Sequence, residues 1–233
     1  MKIRLLGLGW ICLFAGPESE ALALYAVLNE KFKKIEVDET NIAPLLRTSV
    51  QERKIQKADD FVGGRFGMPY NDFIETGKER FPPEIFRDTL QRVSAISIEA
   101  DAIIAGFVYD DPFICQISSD GRVSVRNNFA AIGEGAFLAT SVLLHREHHD
   151  HTELTRALYS VYEAKKYAER VPSVGEKTSL GVKMQNQLVA GISDEMKEWL
   201  ENRYVELGPK TVPNDLRFDG EIFRRHLSRE QSS

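Results

Sequence analysis

The chain has 233 residues, 42% apolar and 28% charged, with a net charge of −5; this is ordinary globular usage, long enough to bury a full core. No run of about 18 uninterrupted apolar residues occurs, and no small-residue cleavage site follows the apolar start with its Lys2 and Arg4, so neither membrane spanning nor export is expected and the cytoplasm is the expected location. The acidic balance, without a clustered basic stripe, argues against nucleic acid as the main partner.

The first residues, MKIRLLGLGWICLFAG, read as the middle of a buried sheet: two short apolar runs parted at Gly9 predict two strands joined by a tight turn. Gly16 and Pro17 stop the extended run. From Glu18 the spacing of Ala21, Leu24, Tyr25, Leu28 and Phe32 predicts an amphipathic helix, with Glu18 and Glu20 near its positive end. Residues 36–81 predict only short helices, with QERKIQKADD as a solvated face and the glycine-rich FVGGRFGMPYNDF as an irregular segment. PPEIFRDTLQRVSAI predicts a helix that tolerates Pro82 and Pro83 in its first turn. Four short strands follow, in DAIIAGFVYD, PFICQIS, RVSVRN and FAAIGEG, divided by turn formers as in an antiparallel meander. Helices are then expected over 136–144 and 152–169, the second with Leu154, Leu158, Val161 and Ala168 on its buried stripe. KTSLGVKM alternates as a half-buried strand, and Ser193 to Tyr204 reads as a last amphipathic helix before a charged, loosely held tail. Segregated strand and helix blocks predict an α+β sandwich, with sheets packed on each other and helices over their outer faces.

Three stretches carry a family resemblance: KIRLLGLGWICLFAGPESEALALYAVL, IIAGFVYDDPFICQISSDGRVSVRNNFAAIGEGAFLA and VYEAKKYAERVPSVGEKTSLGV. In this order, over nearly the first 185 residues, they resemble the proteasome β-subunits and their simpler bacterial relatives, which are N-terminal nucleophile (Ntn) hydrolases. The resemblance implies a four-layer αββα sandwich over residues 1–186, with 187–233 as a C-terminal helix and charged tail. It also implies threonine-type peptidase chemistry on a peptide or protein substrate without a cofactor, and assembly into a ring or other homo-oligomer. The nucleophile in such enzymes is the hydroxyl of an N-terminal threonine whose own amine takes the proton. Aligning through Ala15 and Gly16 puts Lys2 at the position of the lysine that lowers the cost of that proton. The hairpin that would carry the threonine is then expected to be missing, and the chain as given to be inactive. The alternative within the same fold is a non-catalytic, ring-forming or partner-binding scaffold.

Residue by residue, the resemblance gives Gly16 the oxyanion-hole N–H, Phe14 a place in the first specificity pocket, and Ser173 the support of the threonine amine. From the residues alone, Gly16 is a turn glycine and Phe14 a core aromatic. The chain departs from the family at Arg170, where an aspartate is expected, and at Glu134, where a serine is expected between two glycines. A cation in place of a carboxylate inverts the local field. Outside this pattern, HREHHDH over 145–151 has donor types for zinc or nickel, but reads as a solvated link between helices, with Asp150 as N-cap and Glu153 closing a capping box. Cys12 and Cys115 lie in apolar runs, where free cysteines behave as small hydrophobes.

Overall fold

The computed structural model describes residues 3–7, 9–35, 37–185 and 189–209. The apolar start forms β1 (Ile3–Leu6) and β2 (Trp10–Ala15), paired antiparallel with Leu6 opposite Trp10. After α1 (Glu18–Lys34), α2 (Ile42–Phe66), α3 (Tyr70–Arg80) and α4 (Pro83–Ser94), the chain returns to the same sheet as β3 (Asp101–Val108), β4 (Asp111–Ile117) and β5 (Val123–Arg126). The strand order is β1-β2-β3-β4-β5, antiparallel throughout. Next come α5 (Ala136–His145), α6 (Leu154–Ala168), the two-residue strands β6 (Gly181–Val182) and β7 (Ala190–Gly191), and α7 (Asp194–Leu207). Among the described residues no helix is long and apolar enough to cross a membrane.

The pleat divides the five-stranded sheet into two unlike faces. Leu6, Trp10, Cys12, Phe14, Ala102, Ile104, Val108, Cys115 and Ile117 point to one side, where Leu24, Leu28 and Phe32 of α1 and Leu45, Leu46 and Val50 of α2 complete the main core. Gly106 is needed in that core because Trp10 lies over it: a Cβ there would sit 2.5 Å from the indole. The opposite face carries two cross-strand rows, Ile3–Leu13–Ile103 and Leu5–Ile11–Ala105–Ile114, because directly paired residues share a face. These side chains are only half buried, and Leu5 is 49% exposed. At the β3–β4 end of this face the Lys183 ammonium lies 5.7 Å over the Phe107 ring, and Gln185 donates to the Asp110 carboxylate and to the Tyr109 carbonyl. The second sheet, by contrast, amounts to the β6–β7 pair among the described residues. Among the described residues β1 is an edge strand, and the Tyr25 hydroxyl donates to its Leu5 carbonyl at 2.9 Å, so one edge acceptor is already occupied.

Several expectations are corrected. Residues 36–81 hold one helix of 25 residues, α2, and a second of 11, α3. The buried positions of α2 include Ser49, Arg53 and Ala58, so its core stripe does not look apolar in the sequence. The two glycines at 63 and 64 stay helical, and the helix ends at Gly67, whose φ of 70° suits a left-handed C-terminal residue. Phe66, Phe73, Phe81 and Phe86 then cluster to join α2, α3 and α4. FAAIGEG is not a strand: Phe129 to Gly135 is irregular and leads into α5. Helix α6 starts at Leu154 with Glu153 itself as N-cap, accepting from the Arg156 N–H. Its buried face is Tyr159, Ser160, Tyr162, Glu163, Ala164 and Ala168, while Leu154 and Val161 are exposed. Helix α7 packs on it through Tyr162, Leu200 and Tyr204.

Candidate functional site

Three segments distant in sequence meet beyond the end of β2. The first is Ala15–Gly16. Gly16 has φ 109°, and a Cβ there would fall 2.6 Å from the Glu99 carbonyl oxygen, so both the conformation and the close approach of residues 99–100 require glycine. The second is the turn Gly133–Glu134–Gly135 that opens α5. Gly133 abuts the Ala15 methyl, while Gly135 abuts Ala168 and Val174 from the third segment, the loop after α6. In that loop Ser173 donates its hydroxyl hydrogen to the Glu134 carboxylate. Gly16, Glu134 and Ser173 are all exposed, so the three segments form a solvent-facing mouth.

A charge network backs this mouth. Glu20 of α1 bridges Arg53 at 3.2 Å and Lys57 at 3.3 Å, both on α2, and Lys57 reaches Glu99 at 2.9 Å. It ties the start of α1 and the middle of α2 to the residue that crosses Gly16, and Glu99 itself adopts a left-handed φ of 55°. The carboxylate next to the mouth is Glu134. Arg170 of the third segment lies 4.1 Å over the Tyr167 ring, a cation–π contact that occupies its guanidinium.

The structure therefore brings together Gly16 and, through Glu134, Ser173. Phe14 points the other way, into the main core: it is 7% exposed and edge-on to Tyr25, with ring centroids 6.3 Å apart. Lys2 lies outside the described residues. The partnership of Glu134 with Ser173 escapes sequence reasoning because the two stand 39 positions apart; the signal was present only as one departure, a glutamate between glycines, and one separate match, a serine in a loop. The histidine link lies on α5–α6 as expected, with Asp150 3.9 Å from His149 and 3.8 Å from His151. Among the described residues no group of three or more His, Cys, Asp or Glu is gathered to hold a metal ion. Cys12 and Cys115 are free and buried. Burial pushes both thiols up, Cys115 to about 11.

A helix-covered antiparallel sheet, a smaller second sheet and a mouth between the end of β2 and the start of α5 make an α+β fold. Two solved structures share it, both of Anbu from Hyphomicrobium sp. strain MC1. A Gly-1 mutant aligns with 94% of this chain and 86% of its own length, at 15% identity and a TM-score of 0.57. A second Anbu structure aligns with 94% of this chain and 87% of its own, at 16% identity and a TM-score of 0.55. No family model and no curated protein matches the chain. At these identities the likeness is one of fold.

Proposed function

We propose that the mouth at Gly16, Glu134 and Ser173 belongs to a threonine-type peptidase site of the proteasome-like kind, completed by a nucleophile-bearing strand pair over the face of the sheet opposite the main core, and that the 233 residues alone do not hydrolyse peptides. The observation that carries this reading is the convergence itself: Gly133 abuts Ala15, and Ser173 is hydrogen-bonded to Glu134. The half-exposed rows Ile3–Leu13–Ile103 and Leu5–Ile11–Ala105–Ile114 support it, since a contiguous apolar surface of this kind lowers its free energy when a second layer covers it. On this reading the added pair enlarges the β6–β7 sheet and gives the four-layer sandwich. The Gly16 N–H then faces the developing oxyanion, Lys2 favours the deprotonated hydroxyl, and Ser173 supports the nucleophile's amine. Residues 1–186 form the hydrolase domain, 187–233 follow it, and the exposed apolar positions Phe137 (79%) and Leu144 (63%) of α5 serve contacts between copies in a cytoplasmic homo-oligomer.

A second reading, a non-catalytic scaffold of the same fold, is favoured by two side chains. Glu134 engages the Ser173 hydroxyl, and Arg170 offers no carboxylate. One experiment separates the two. The DNA upstream of Met1 is translated in frame, and any extended protein is assayed on a fluorogenic peptide beside the 233-residue protein. The peptidase reading expects hydrolysis by the extended protein, abolished by a threonine-directed inhibitor, and none by the shorter one. An upstream stop codon, or an inert extended protein, supports the scaffold; inhibitor-sensitive hydrolysis by the 233 residues overturns the need for an added segment.

A further inference from the structure

We infer that the link between α5 and α6 is an acid-sensitive latch: neutral His148 holds Phe129 in place, and protonation of its ring releases the segment that leads to the Gly133–Gly135 turn. Four imidazoles lie within residues 145–151, but their surroundings differ. His145, His149 and His151 are exposed, and the last two flank Asp150. His148 is half buried. Its ring meets Phe129 edge-on at 6.1 Å, and its Nδ1 is sealed from solvent without a hydrogen-bond partner.

That sealed nitrogen decides the effect of acid. A neutral imidazole carries one N–H, which can sit on Nε2 and leave Nδ1 bare. An imidazolium carries two, so protonation would bury an Nδ1–H with no acceptor. The charged groups facing the ring add to this: His149 from the link and Arg156 from the first turn of α6 both disfavour its positive form, while Phe129, from the segment before α5, brings no charge. Arg156 is held there by its bond to the Arg146 carbonyl at 3.1 Å, and Arg146 is engaged by Glu163. Burial first, then His149 and Arg156, keep the folded His148 below the ordinary histidine range. An opened link, with the ring in water, titrates at the ordinary value and binds more protons, so the closed form is fully favoured above that value and loses ground as pH falls below it.

Release reaches the mouth through a short path. The backbone N–H of His148 donates to the Leu143 carbonyl at 2.9 Å and closes α5, while Phe129 packs on Val142, Leu143 and Ala164. From Phe129 the chain runs four residues to Gly133, which abuts Ala15. Freeing the ring therefore loosens one wall of the mouth without unfolding the sheet.

Hydrogen exchange read by mass spectrometry, at about pH 7.5 and about pH 5 and corrected for intrinsic rates, tests this on the 233-residue protein. Protection of the end of α5 and its link, where the Arg146, Glu147 and His148 N–H groups donate to the Val142, Leu144 and Leu143 carbonyls, is expected to fall about tenfold or more at the lower pH while that of β2 and β3 holds. A His148→Phe variant, unable to take a proton, is expected to lose this difference; a His145→Asn/His151→Asn variant is expected to keep it. Equal loss in His148→Phe, or no loss in the wild-type protein, would overturn the latch. Should His148→Phe fold poorly, the wild-type NMR titration decides: Phe129 ring resonances must follow the His148 titration, and their indifference to it overturns the latch equally.

Discussion

Arg146→Met should destabilise the protein more than any other single substitution on α5 or its link. Glu163 is 3% exposed, and both its oxygens accept from Arg146, at 2.7 and 2.8 Å. Removing the guanidinium leaves a buried carboxylate without its counter-charge, which typically costs about 3–5 kcal/mol. Two features set the magnitude here. The pair borders a cavity of 430 Å³ lined also by Ser141, Val142 and Leu207, through which water can reach the vacated site, favouring the lower end near ~3 kcal/mol. Arg146 also donates to the Leu207 carbonyl at 3.0 Å at the end of α7, a bond whose loss adds about 1 kcal/mol. The expected total of about 4 kcal/mol should move the urea midpoint down by over 1 M, for a slope of about 3 kcal/mol/M. The double variant Arg146→Met/Glu163→Leu replaces the pair by apolar groups and should recover about 2 kcal/mol or more. A cost below about 1 kcal/mol for the single variant, or a double variant no more stable than the single, would refute the assignment of the cost to an uncompensated Glu163.

Gly16→Ala should lose roughly 2–4 kcal/mol, from the 109° φ and the 2.6 Å approach to the Glu99 oxygen, read as a lower urea midpoint. Phe73→Ala, at the centre of the rings of Phe66, Phe81 and Phe86, should cost about 3–5 kcal/mol and expose α3 and α4 to proteolysis before the sheet. Cys12 and Cys115, buried and with thiols pushed up by burial, should stay unlabelled by a disulfide reagent at neutral pH and react in urea; rapid labelling of the native protein would contradict their place in the core.

What the sequence makes legible follows from which forces write periodic patterns. The strand pair at the start, α1, the meander of β3 to β5 and the helices α5 and α7 each bury an apolar face, so apolar spacing marks them. Helix α2 is hidden because it buries small and polar groups: Ser49 satisfies its hydroxyl on the Leu45 carbonyl, and Arg53 meets Glu20. The face of α6 is misjudged for a related reason, since Glu163 is buried through Arg146, a partner on another element, while Leu154 and Val161 remain in water. FAAIGEG has strand-like composition, yet Gly133, at φ 85°, turns the chain toward Ala15 instead of along the sheet. Gly16 is readable as a turn glycine from its neighbours, but its approach to Glu99 and the bond between Ser173 and Glu134 are tertiary facts, set by how the segment before β3, the turn before α5 and the loop after α6 are brought together. Phe14 shows the converse: its apolar ring alone predicts the core position it takes.

The proposed peptidase reading is tested most directly by the intact mass of the extended protein after incubation with a threonine-directed electrophile, with the 233-residue protein beside it. The account predicts a single adduct on the N-terminal residue of the extended protein, suppressed by a peptide substrate, and none on the shorter chain. An extended protein that takes no adduct, or an adduct formed on the 233 residues themselves, would contradict it.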